Sequence, residues 1–353
     1  MSPAPPPQLT AVASQVEECL DTSIRAHHER WTSLDQDLAL PMQEIRRLTL
    51  SGGKRLRPAF AYWAFVAHGG NPSDKRIIEV GSAIELLHGF ALFHDDIMDG
   101  ADSRRGVPTT HVTLAQQHEA EKWAGESRRF GEGATILIGD LAFVMSDELF
   151  GEVSRDVRSM WHELRLELNV GQYLDMLGSA RHERRRVVAD RICRYKSGKY
   201  TVERPLHIGA LLAGPSDVAT TVEALSRVGL PLGDAFQMRD DVLGVFGDST
   251  VTGKPVGNDL REGKPTPLLA RAFDMANAAQ SEILSMVGQP DLSAEAVARI
   301  QAVITECGAL AAMETLIDEL RDAAIEAINS AIPAGEANDA LIALAVYVTE
   351  RAA

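Results

Sequence analysis

Three aspartates near position 95 have spacing suited to metal binding. Asp95 and Asp99 are four residues apart and so share one face of a helix, with Asp96 one position round it. The apolar residues 90–93 directly before them would be buried in that helix. A lone pair of acidic residues at a helix end is usually just solvated. At the end of a buried stretch, however, such residues indicate a functional cluster.

A second acidic cluster repeats the pattern. Gln237 precedes Asp240 and Asp241 by three and four residues, which places all three on one helical face. Carboxylates this close repel one another unless cations lie between them. Mg²⁺ prefers oxygen ligands and also binds phosphate groups. The two clusters therefore predict two or three Mg²⁺ ions and a phosphorylated substrate.

Basic residues supply the charge that such a substrate needs. Lys54, Arg55 and Arg57 follow a Gly-Gly pair, and two arginines follow the first acidic cluster. Glycine lets the backbone approach a diphosphate closely, while Lys and Arg donate charged hydrogen bonds. The remaining candidates are Arg104, Arg105, Lys196, Lys254 and Lys264. Each alone is more often an ordinary surface cation, but together they predict two anionic substrates or one highly charged one.

Composition excludes several classes of function. The 353 residues include 35 basic and 50 acidic ones, and 35 − 50 gives a formal net charge of −15, the wrong sign for a general nucleic-acid-binding protein. No Gly-x-Gly-x-x-Gly, P-loop or nucleophile-elbow motif occurs. The three separated cysteines show neither a disulfide framework nor zinc spacing. Charged residues or histidines interrupt every apolar run and no signal peptide is recognised, so we expect a cytoplasmic protein without a transmembrane segment.

Helices must position these residues. An aromatic content of only 5%, many Ala and Leu, and no convincing strand pattern predict an all-α, single-domain bundle with a central active-site cavity. We expect a disordered Pro-rich leader over residues 1–14 and the helical domain over residues 15–353. Asn71 and Pro72 are predicted to begin the helix that ends at the first cluster. A helix over about 218–246, kinked at Pro231, should carry the second cluster, and residues 247–267 should form a loop.

Six segments, in the same order, resemble the trans-isoprenyl diphosphate synthase (polyprenyl synthetase) family. They are GGKRLRP (52–58), LLHGFALFHDDIMDGADSRRG (86–106), GQYLD (171–175), KSGKYT (196–201), FQMRDD (236–241) and GKPVGNDLREGKPT (253–266). The resemblance covers nearly the whole chain from about residue 45. The DDVLGVFGD segment and an insertion near residues 112–132 are most similar to actinobacterial short-chain members, of the geranylgeranyl or farnesyl diphosphate synthase type.

The resemblance implies a fold, a reaction and an assembly. The fold is the isoprenoid-synthase helical bundle. The reaction is a Mg²⁺-dependent trans-prenyl transfer, in which isopentenyl diphosphate condenses head-to-tail with dimethylallyl, geranyl or farnesyl diphosphate and diphosphate is released. The allylic diphosphate ionises first and the double bond of isopentenyl diphosphate then attacks, with an apolar tunnel holding the growing chain. A homodimer is expected.

The resemblance also implies a role for each matching residue. Asp95, Asp96, Asp99 and Asp240 would be metal ligands, with Asp241 beside them. Lys54, Arg57, His88 and Arg105 would form the isopentenyl diphosphate pocket. Arg104, Lys196, Lys254 and Lys264 would hold the allylic diphosphate. Gln172, Asp175 and Gln237 would face the reacting centre.

Two alternatives to a synthase differ from it in the residues that they need. A class I terpene cyclase also ionises a diphosphate with aspartates and Mg²⁺, but it needs no isopentenyl diphosphate pocket. A non-catalytic partner subunit tends to lose one aspartate motif, whereas both are present here. The resemblance favours the synthase over both.

Two positions bear on product and metal binding. Phe90, five residues before Asp95, is bulky, and Ala91 is small, a combination that resembles a geranylgeranyl-type stop to chain growth; farnesyl diphosphate is the alternative product. In the second motif the family's usual third aspartate is replaced by Gly244. We expect Gly244→Asp to change activity only modestly.

Overall fold

The computed structural model describes residues 4–247, 257–289 and 291–350. Within them the structure is almost entirely helical, which confirms the all-α prediction. The exception is one hairpin of two short antiparallel strands, β1 (Ser103–Arg104) and β2 (Val107–Pro108). Lys254 lies outside the described residues. The chain divides into two compact units, described separately below, and the single-domain assignment stays a prediction.

The N-terminal unit consists of residues 7–62 and 71–154. Its helices are α1 (Pro7–Thr32), a 3₁₀ turn (Gln36–Leu38), α2 (Ala39–Leu50), the first part of α3 (Leu56–Ala67), α4 (Lys75–Met98), α5 (Thr110–Ala120) and α6 (Ser127–Phe150). The helix α4 is central, because it packs against α1, α2, α5 and α6. It ends at the first aspartate cluster.

Two helix starts differ from the predictions. The helix α1 begins at Pro7, so residues 7–14 are helical and do not belong to a disordered leader. The reason is an apolar stripe that starts at Leu9 and Val12 and continues to Val16, all of them buried. The helix α4 begins after Asp74, whose side chain accepts a hydrogen bond from the Arg76 N–H, and not at Asn71.

The helix α4 bears on the expected absence of a transmembrane segment. By length and composition it could cross a membrane, as could the pair Ala294–Glu306 and Ala309–Ala331 if the two helices, bent by 63°, counted as one span; no other part of the described ranges qualifies. Glu79, Glu85 and His88 nevertheless interrupt the apolar run of α4, as the sequence predicts. In its most apolar window 67% is buried inside the protein, as in the core helix of a soluble protein.

The C-terminal unit contains residues 63–70 and the chain from residue 155 onward. Its elements are α7 (Arg155–Ala180), α8 (Arg186–Cys193), a π-helix (Arg194–Glu203), α9 (Arg204–Leu212), α10 (Val218–Phe246), α11 (Asn258–Glu262), α12 (Pro267–Met275), α13 (Ala278–Leu284), α14 (Ala294–Glu306), α15 (Ala309–Ala331) and α16 (Glu336–Thr349). The helix α10 has the predicted bounds and contains Pro231. The predicted loop after it contains the short helix α11.

Glycines let the π-helix lie close to its neighbours. A Cβ added at Gly171 of α7 would lie 2.5 Å from the Lys196 Cα, and one added at Gly198 would lie 3.0 Å from the Gly233 carbonyl carbon of α10. Neither position has room for a side chain. The wide π-turn, a feature often found at functional sites, is thereby fixed between α7 and α10 and carries Lys196.

Candidate active site

In the N-terminal unit, the first aspartate cluster is joined to the hairpin that follows it. The Arg104 guanidinium donates hydrogen bonds to Asp96 Oδ1 at 2.8 Å and to Asp95 Oδ2 at 3.3 Å. Asp99 caps the C-terminus of α4. Burial alone would lower the pKa of the Arg104 guanidinium. The negative charges of Asp96, Asp95 and Asp99 outweigh this effect, so the pKa is raised. The structure thus brings all three aspartates together around one cation.

Asp96 is the buried member of this cluster, with 4% of its surface exposed. Burial raises the pKa of its carboxyl, although the nearby Arg104 acts in the opposite direction. A buried carboxylate of this kind is held in its charged form by a cation beside it. Arg104 is therefore as much a part of the aspartate cluster as a candidate diphosphate ligand.

The hairpin presents Arg105 at its tip. Arg105 and Gly106 both have positive φ, 54° and 76°, as the tightest two-residue hairpin turns require. A bulky residue in this conformation is uncommon, and its strain is often associated with function. The Arg105 guanidinium donates to the Gly52 carbonyl at 2.6 Å and to the Ser51 hydroxyl at 3.3 Å, both of them uncharged.

These contacts tie the Gly-Gly turn to the hairpin. Lys54 is exposed on that turn, whereas its neighbour Arg55 is buried with φ 51°. Arg55 donates to Glu85 of α4 at 2.8 Å, to the Thr49 carbonyl at 2.6 Å and to Glu17 of α1 at 3.2 Å. The turn that carries the candidate substrate cations is therefore fixed by a buried ion pair. The sequence pattern did not distinguish Arg55 from Lys54 and Arg57.

His88 is the point at which the basic residues converge. Burial lowers the pKa of its imidazole well below the usual value, and the positive charges of four arginines lower it further; they are Arg57, Arg104, Arg105 and Arg55. The ring is therefore neutral at physiological pH, and it can both donate and accept a hydrogen bond. The structure brings together Arg57, His88 and Arg105, three of the four residues that the resemblance assigned to one pocket.

Phe90 lies one helical turn before the first aspartates. Its ring packs against Phe143 of α6, with centroids 4.9 Å apart, and against His94 at 4.6 Å. The close approach of α6 to α4 requires Gly139, because an added Cβ there would lie 2.5 Å from the His94 Nε2. Ala91 is half-buried beside it.

In the C-terminal unit, the second cluster lies near the end of α10. Asp240 is exposed, and Asp241 is 4% exposed. Gln237 Nε2 donates to Asp241 Oδ1 at 2.8 Å, while Asp241 Oδ2 is buried and has no hydrogen-bond partner among the described residues. Burial raises the pKa of Asp241 well above its usual value, and Asp259, Asp240 and Asp175 raise it further.

Asp175 of α7 holds Lys196. The Lys196 Nζ lies 2.5 Å from the Asp175 Oδ2, and both side chains are largely buried. Lys264 lies after α11, with its Nζ 2.7 Å from the Glu262 Oε2. Gln172 is half-buried on α7. The predicted residues Asp175 and Lys196 are thus in contact, and both belong to the unit that carries the second aspartate cluster.

Asp259 also belongs to this cluster, although it was not among the residues predicted from the sequence. It lies in α11 with 9% of its surface exposed. A Cβ added at Gly244 would collide with its carboxylate, 2.8 Å from the Cγ. The new side chain of Gly244→Asp and the Asp259 carboxylate would need the same space, and the expectation that this substitution changes activity only modestly stays a prediction. The available signal was an unassigned Asp in a matching segment between two assigned lysines.

Comparison with known proteins decides the family. A sequence model described as polyprenyl synthetase matches residues 40–305. The chain belongs to the polyprenyl synthetase family. It is 35% identical over 321 residues to a geranylfarnesyl diphosphate synthase from Aeropyrum pernix, which covers 86% of this chain and 92% of that protein. It is 31% identical over 353 residues to a geranylgeranyl diphosphate synthase from Mycobacterium tuberculosis, with 98% and 90% covered.

A solved structure gives the same assignment. The crystal structure of geranylgeranyl pyrophosphate synthase from Corynebacterium glutamicum, complexed with isoprenyl diphosphate and magnesium, is similar with a TM-score of 0.92 and 33% sequence identity. The match covers 98% of this chain and 99% of that one. Actinobacterial relatives, expected from the sequence, are thereby confirmed.

Proposed function

We propose that this member of the polyprenyl synthetase family is a trans-prenyltransferase that condenses isopentenyl diphosphate with allylic diphosphates. The observation that carries the proposal is the convergence of Arg57, Arg104 and Arg105, from two separate segments, near the neutral His88 of α4. Cations placed this close repel one another, and a diphosphate anion offsets that repulsion.

The donor chemistry of both clusters fits Mg²⁺. Every candidate ligand is a carboxylate oxygen, and Asp241 has a buried oxygen with no donor among the described residues. In the described ranges no group of three or more His, Cys, Asp or Glu side chains is placed so that it could hold a metal ion. Mg²⁺ is usually held by one or two carboxylates together with substrate phosphates and water.

Asp95, Asp96, Asp99 and Asp240 are the proposed ligands for two or three Mg²⁺ ions. When bound, these ions supply positive charge for the departing diphosphate. The chain's own cations act in the same sense: Arg104, Lys196, Lys254 and Lys264 bind the allylic diphosphate and stabilise its charge as the C–O bond breaks. Asp175 orients Lys196 for this role through their 2.5 Å contact.

The second substrate is held by Lys54, Arg57 and Arg105, with His88 as a neutral hydrogen-bonding group. Fixing isopentenyl diphosphate in this pocket brings its double bond to the allylic carbon and removes much of the entropic cost of a bimolecular step. Gln172 and Gln237 contribute polar contacts near the reacting carbon. The released diphosphate accepts the final proton, as the resemblance implies.

Geranylgeranyl diphosphate is the product we propose, with farnesyl diphosphate as the alternative. The support is the bulky Phe90, packed on Phe143 and five residues before Asp95, together with relatives named as geranylgeranyl and geranylfarnesyl diphosphate synthases. A terpene cyclase would not need Lys54, Arg57 and Arg105. A non-catalytic subunit would not need both aspartate motifs.

One incubation tests the proposal. The purified chain is mixed with Mg²⁺, isopentenyl diphosphate and, in separate tubes, dimethylallyl, geranyl or farnesyl diphosphate, and the products are identified by mass spectrometry. We expect elongation to a twenty-carbon diphosphate. Cyclised hydrocarbon from an allylic diphosphate alone would establish the cyclase, and no product from any primer would establish the non-catalytic subunit.

We also propose a cytoplasmic homodimer. The helix α6 supports the assembly, because Leu137 and Val144, two turns apart on one face, are 64% and 63% exposed. Apolar side chains presented in a row are typical of a surface that another chain covers. Light scattering on the purified protein measures the molar mass directly.

A further inference from the structure

The helix α7 presents three residues to the π-helix at four-residue spacing. Glu167, Gly171 and Asp175 are each about one helical turn apart and so lie on one face of α7. At the centre, a Cβ added at Gly171 would lie 2.5 Å from the Lys196 Cα, so the two backbones are in close contact. One turn further along, the Asp175 carboxylate lies 2.5 Å from the Lys196 Nζ. Glu167 occupies the corresponding place one turn in the other direction.

Glu167 pairs with two cations of the segment that packs on α7. Its Oε2 accepts a hydrogen bond from the Arg204 Nε at 2.6 Å and its Oε1 accepts one from the Arg204 Nη2 at 2.7 Å, so the contact is bidentate. The Lys199 Nζ lies 2.9 Å from the same Oε1. Lys199 belongs to the π-helix and Arg204 begins α9. One carboxylate therefore fixes both the second half of the π-helix and its exit.

The ion pairs set the register of the π-helix along α7. Lys196 and Lys199 are three residues apart, whereas their partners Asp175 and Glu167 are eight residues apart, which is about 12 Å along an α-helix. The two lysine side chains therefore extend toward opposite ends of α7, with Gly171 between them. A shift of the π-helix along α7 would break both pairs at once.

The ion pairs of Glu167 belong to a buried network of balanced charge. Glu203, the last residue of the π-helix, is 2% exposed; its carboxylate accepts a hydrogen bond from the Ser226 hydroxyl of α10 at 2.8 Å and lies 3.1 Å from the Lys199 Nζ. Glu167 and Glu203 thus balance Lys199 and Arg204. Burial alone would raise the pKa of Glu167, but hydrogen bonds from Arg204 and Lys199 outweigh it and lower the pKa, so the carboxylate is charged. Removing one member leaves an uncompensated charge among buried groups.

We infer that Glu167 is a positioning residue for Lys196, because it fixes the π-helix on α7 in the register that presents the Lys196 ammonium to a diphosphate. The inference deepens the proposed function and rests on it for the role of Lys196. Glu167 acts through the backbone of the π-helix and does not contact the diphosphate. A small displacement is enough to weaken binding, since the ammonium must lie within hydrogen-bond distance of a phosphate oxygen.

The sign of the effect separates positioning from simple charge. A carboxylate that acted only through its negative charge would repel a diphosphate, so Glu167→Gln would tighten binding. A positioning residue gives the opposite result, because loss of the register moves Lys196 away from the anion. We therefore expect weaker diphosphate binding in Glu167→Gln, although this variant has lost a negative charge.

The test measures binding without turnover. Inorganic pyrophosphate is titrated into the full-length protein at saturating Mg²⁺ and followed by isothermal titration calorimetry. Lys196→Ala should weaken binding by roughly tenfold, the loss of one charged hydrogen-bond donor. Glu167→Gln should weaken it by roughly fivefold, and the double variant should bind within about twofold of Lys196→Ala alone. Two independent losses would instead multiply.

Two further variants keep the test decisive. Val157→Ala truncates a buried side chain elsewhere on α7 and controls for destabilisation: its melting temperature should fall while pyrophosphate binding stays at the wild-type level. Should Glu167→Gln not fold, Lys199→Gln replaces it as the milder change, because Glu167 keeps its bidentate contact with Arg204. Its effect should likewise disappear when Lys196 is already absent.

The outcomes separate this inference from the proposed function. Unchanged or tighter pyrophosphate binding by Glu167→Gln would overturn the inference, as would losses that multiply in the double variant. The expected pattern, together with no prenyl product from the wild type, would uphold the inference and overturn the proposed reaction. Absence of pyrophosphate binding in the wild type, or unchanged binding in Lys196→Ala, would overturn both the inference and the proposed role of Lys196.

Discussion

Asp95 and Asp240 are the proposed metal ligands whose removal should least disturb the fold. Asp240 is exposed, and loss of Asp95 leaves Arg104 its stronger partner, Asp96. We therefore expect Asp95→Ala and Asp240→Ala each to lower kcat by roughly 10³-fold, because each ligand acts mainly on the charge that develops in the transition state. Melting temperatures should change little.

Steady-state kinetics at saturating Mg²⁺ check this prediction. Asp274→Ala, which removes an exposed carboxylate of α12, is the control and should have normal kcat. Near-normal turnover of either cluster variant would show that the aspartate concerned does not hold an essential cation.

Phe90 gives the second prediction at this scale. If its ring and Phe143 close the path of the growing chain, Phe90→Ala should lengthen the products and Ala91→Phe should shorten them. The truncation should also cost about 3–5 kcal/mol of stability, so the assay is run at low temperature. Phe150→Ala, which removes a buried aromatic ring at the end of α6, is the control for destabilisation alone. Thin-layer separation of the dephosphorylated products that shows unchanged lengths for both variants would place the stop elsewhere.

The Gly-Gly turn between α2 and α3 shows how an element divides work between adjacent residues. Lys54 is exposed, whereas Arg55 is 4% exposed and paired with the equally buried Glu85. Lys54→Ala should raise the KM for isopentenyl diphosphate and change stability by no more than about 0.5 kcal/mol. Arg55→Ala should cost about 3–5 kcal/mol, because it leaves the Glu85 carboxylate buried without its cation.

Chemical denaturation and the KM for isopentenyl diphosphate, measured on both variants, separate the two roles. The expected result is a stable Lys54 variant with weak substrate binding and a destabilised Arg55 variant. Glu85→Gln combined with Arg55→Ala should recover part of the lost stability, since the only carboxylate of the pair that is buried is then neutral and Glu17 remains largely solvated. Equal stability losses at positions 54 and 55 would contradict the assignment of Arg55 as the residue that positions the turn.

The helices were predicted best where the pattern is local. The bounds of α10 follow from apolar periodicity, and its acidic cluster follows from three- and four-residue spacing along one helix. The start of α1 was missed because a Pro-rich composition hid the buried Leu9 and Val12. The π-helix was not predicted, because it depends on close contacts with two neighbouring helices. Gly171 of α7 and Gly233 of α10 let these helices approach the π-helix closely.

The contacts that complete the site could not be predicted in the same way. Arg104 was predicted to bind a diphosphate, and in the structure it also donates a hydrogen bond to Asp96. Asp259 had no predicted role, although its carboxylate lies directly beside Gly244. Both contacts join residues on different elements. Such pairs depend on where the intervening chain folds, which periodicity and spacing along one helix do not encode.

At the scale of the whole molecule, charge is distributed unevenly. The chain carries a formal net charge of −15, yet four arginines converge near His88. A local field of this kind is set by the nearest groups and attracts a diphosphate despite the sign of the total charge. Composition therefore excluded general nucleic-acid binding without excluding an anionic substrate.

A second buried histidine makes global stability depend on pH. His207 is fully buried, its Nε2 lies 3.1 Å from the Val222 carbonyl and 3.1 Å from the Ser226 hydroxyl, and its Nδ1 lies 3.3 Å from a nitrogen of Arg204. The Nε2 therefore carries the hydrogen and the Nδ1 accepts, so the ring is neutral. Burial, with a contribution from Arg204 and against the pull of Glu203, lowers the pKa of His207 to about 4.

This shift predicts loss of stability in acid. Between pH 6.5 and about 4 the unfolded chain takes up a proton at His207 while the folded protein does not, so stability falls as the pH falls through that window. The loss at pH 5 should be about 2 kcal/mol relative to pH 7.5. His207→Gln keeps a donor for Val222 and an acceptor for Arg204 but cannot titrate. Between pH 7.5 and pH 5 the free energy of urea unfolding should therefore fall by about 2 kcal/mol less in this variant than in the wild type. Groups that titrate in both proteins contribute equally and cancel in the comparison.

The exposed His162→Gln variant is the control and should follow the wild type. An identical pH dependence for wild type and His207→Gln would show that His207 is not held neutral in the folded protein.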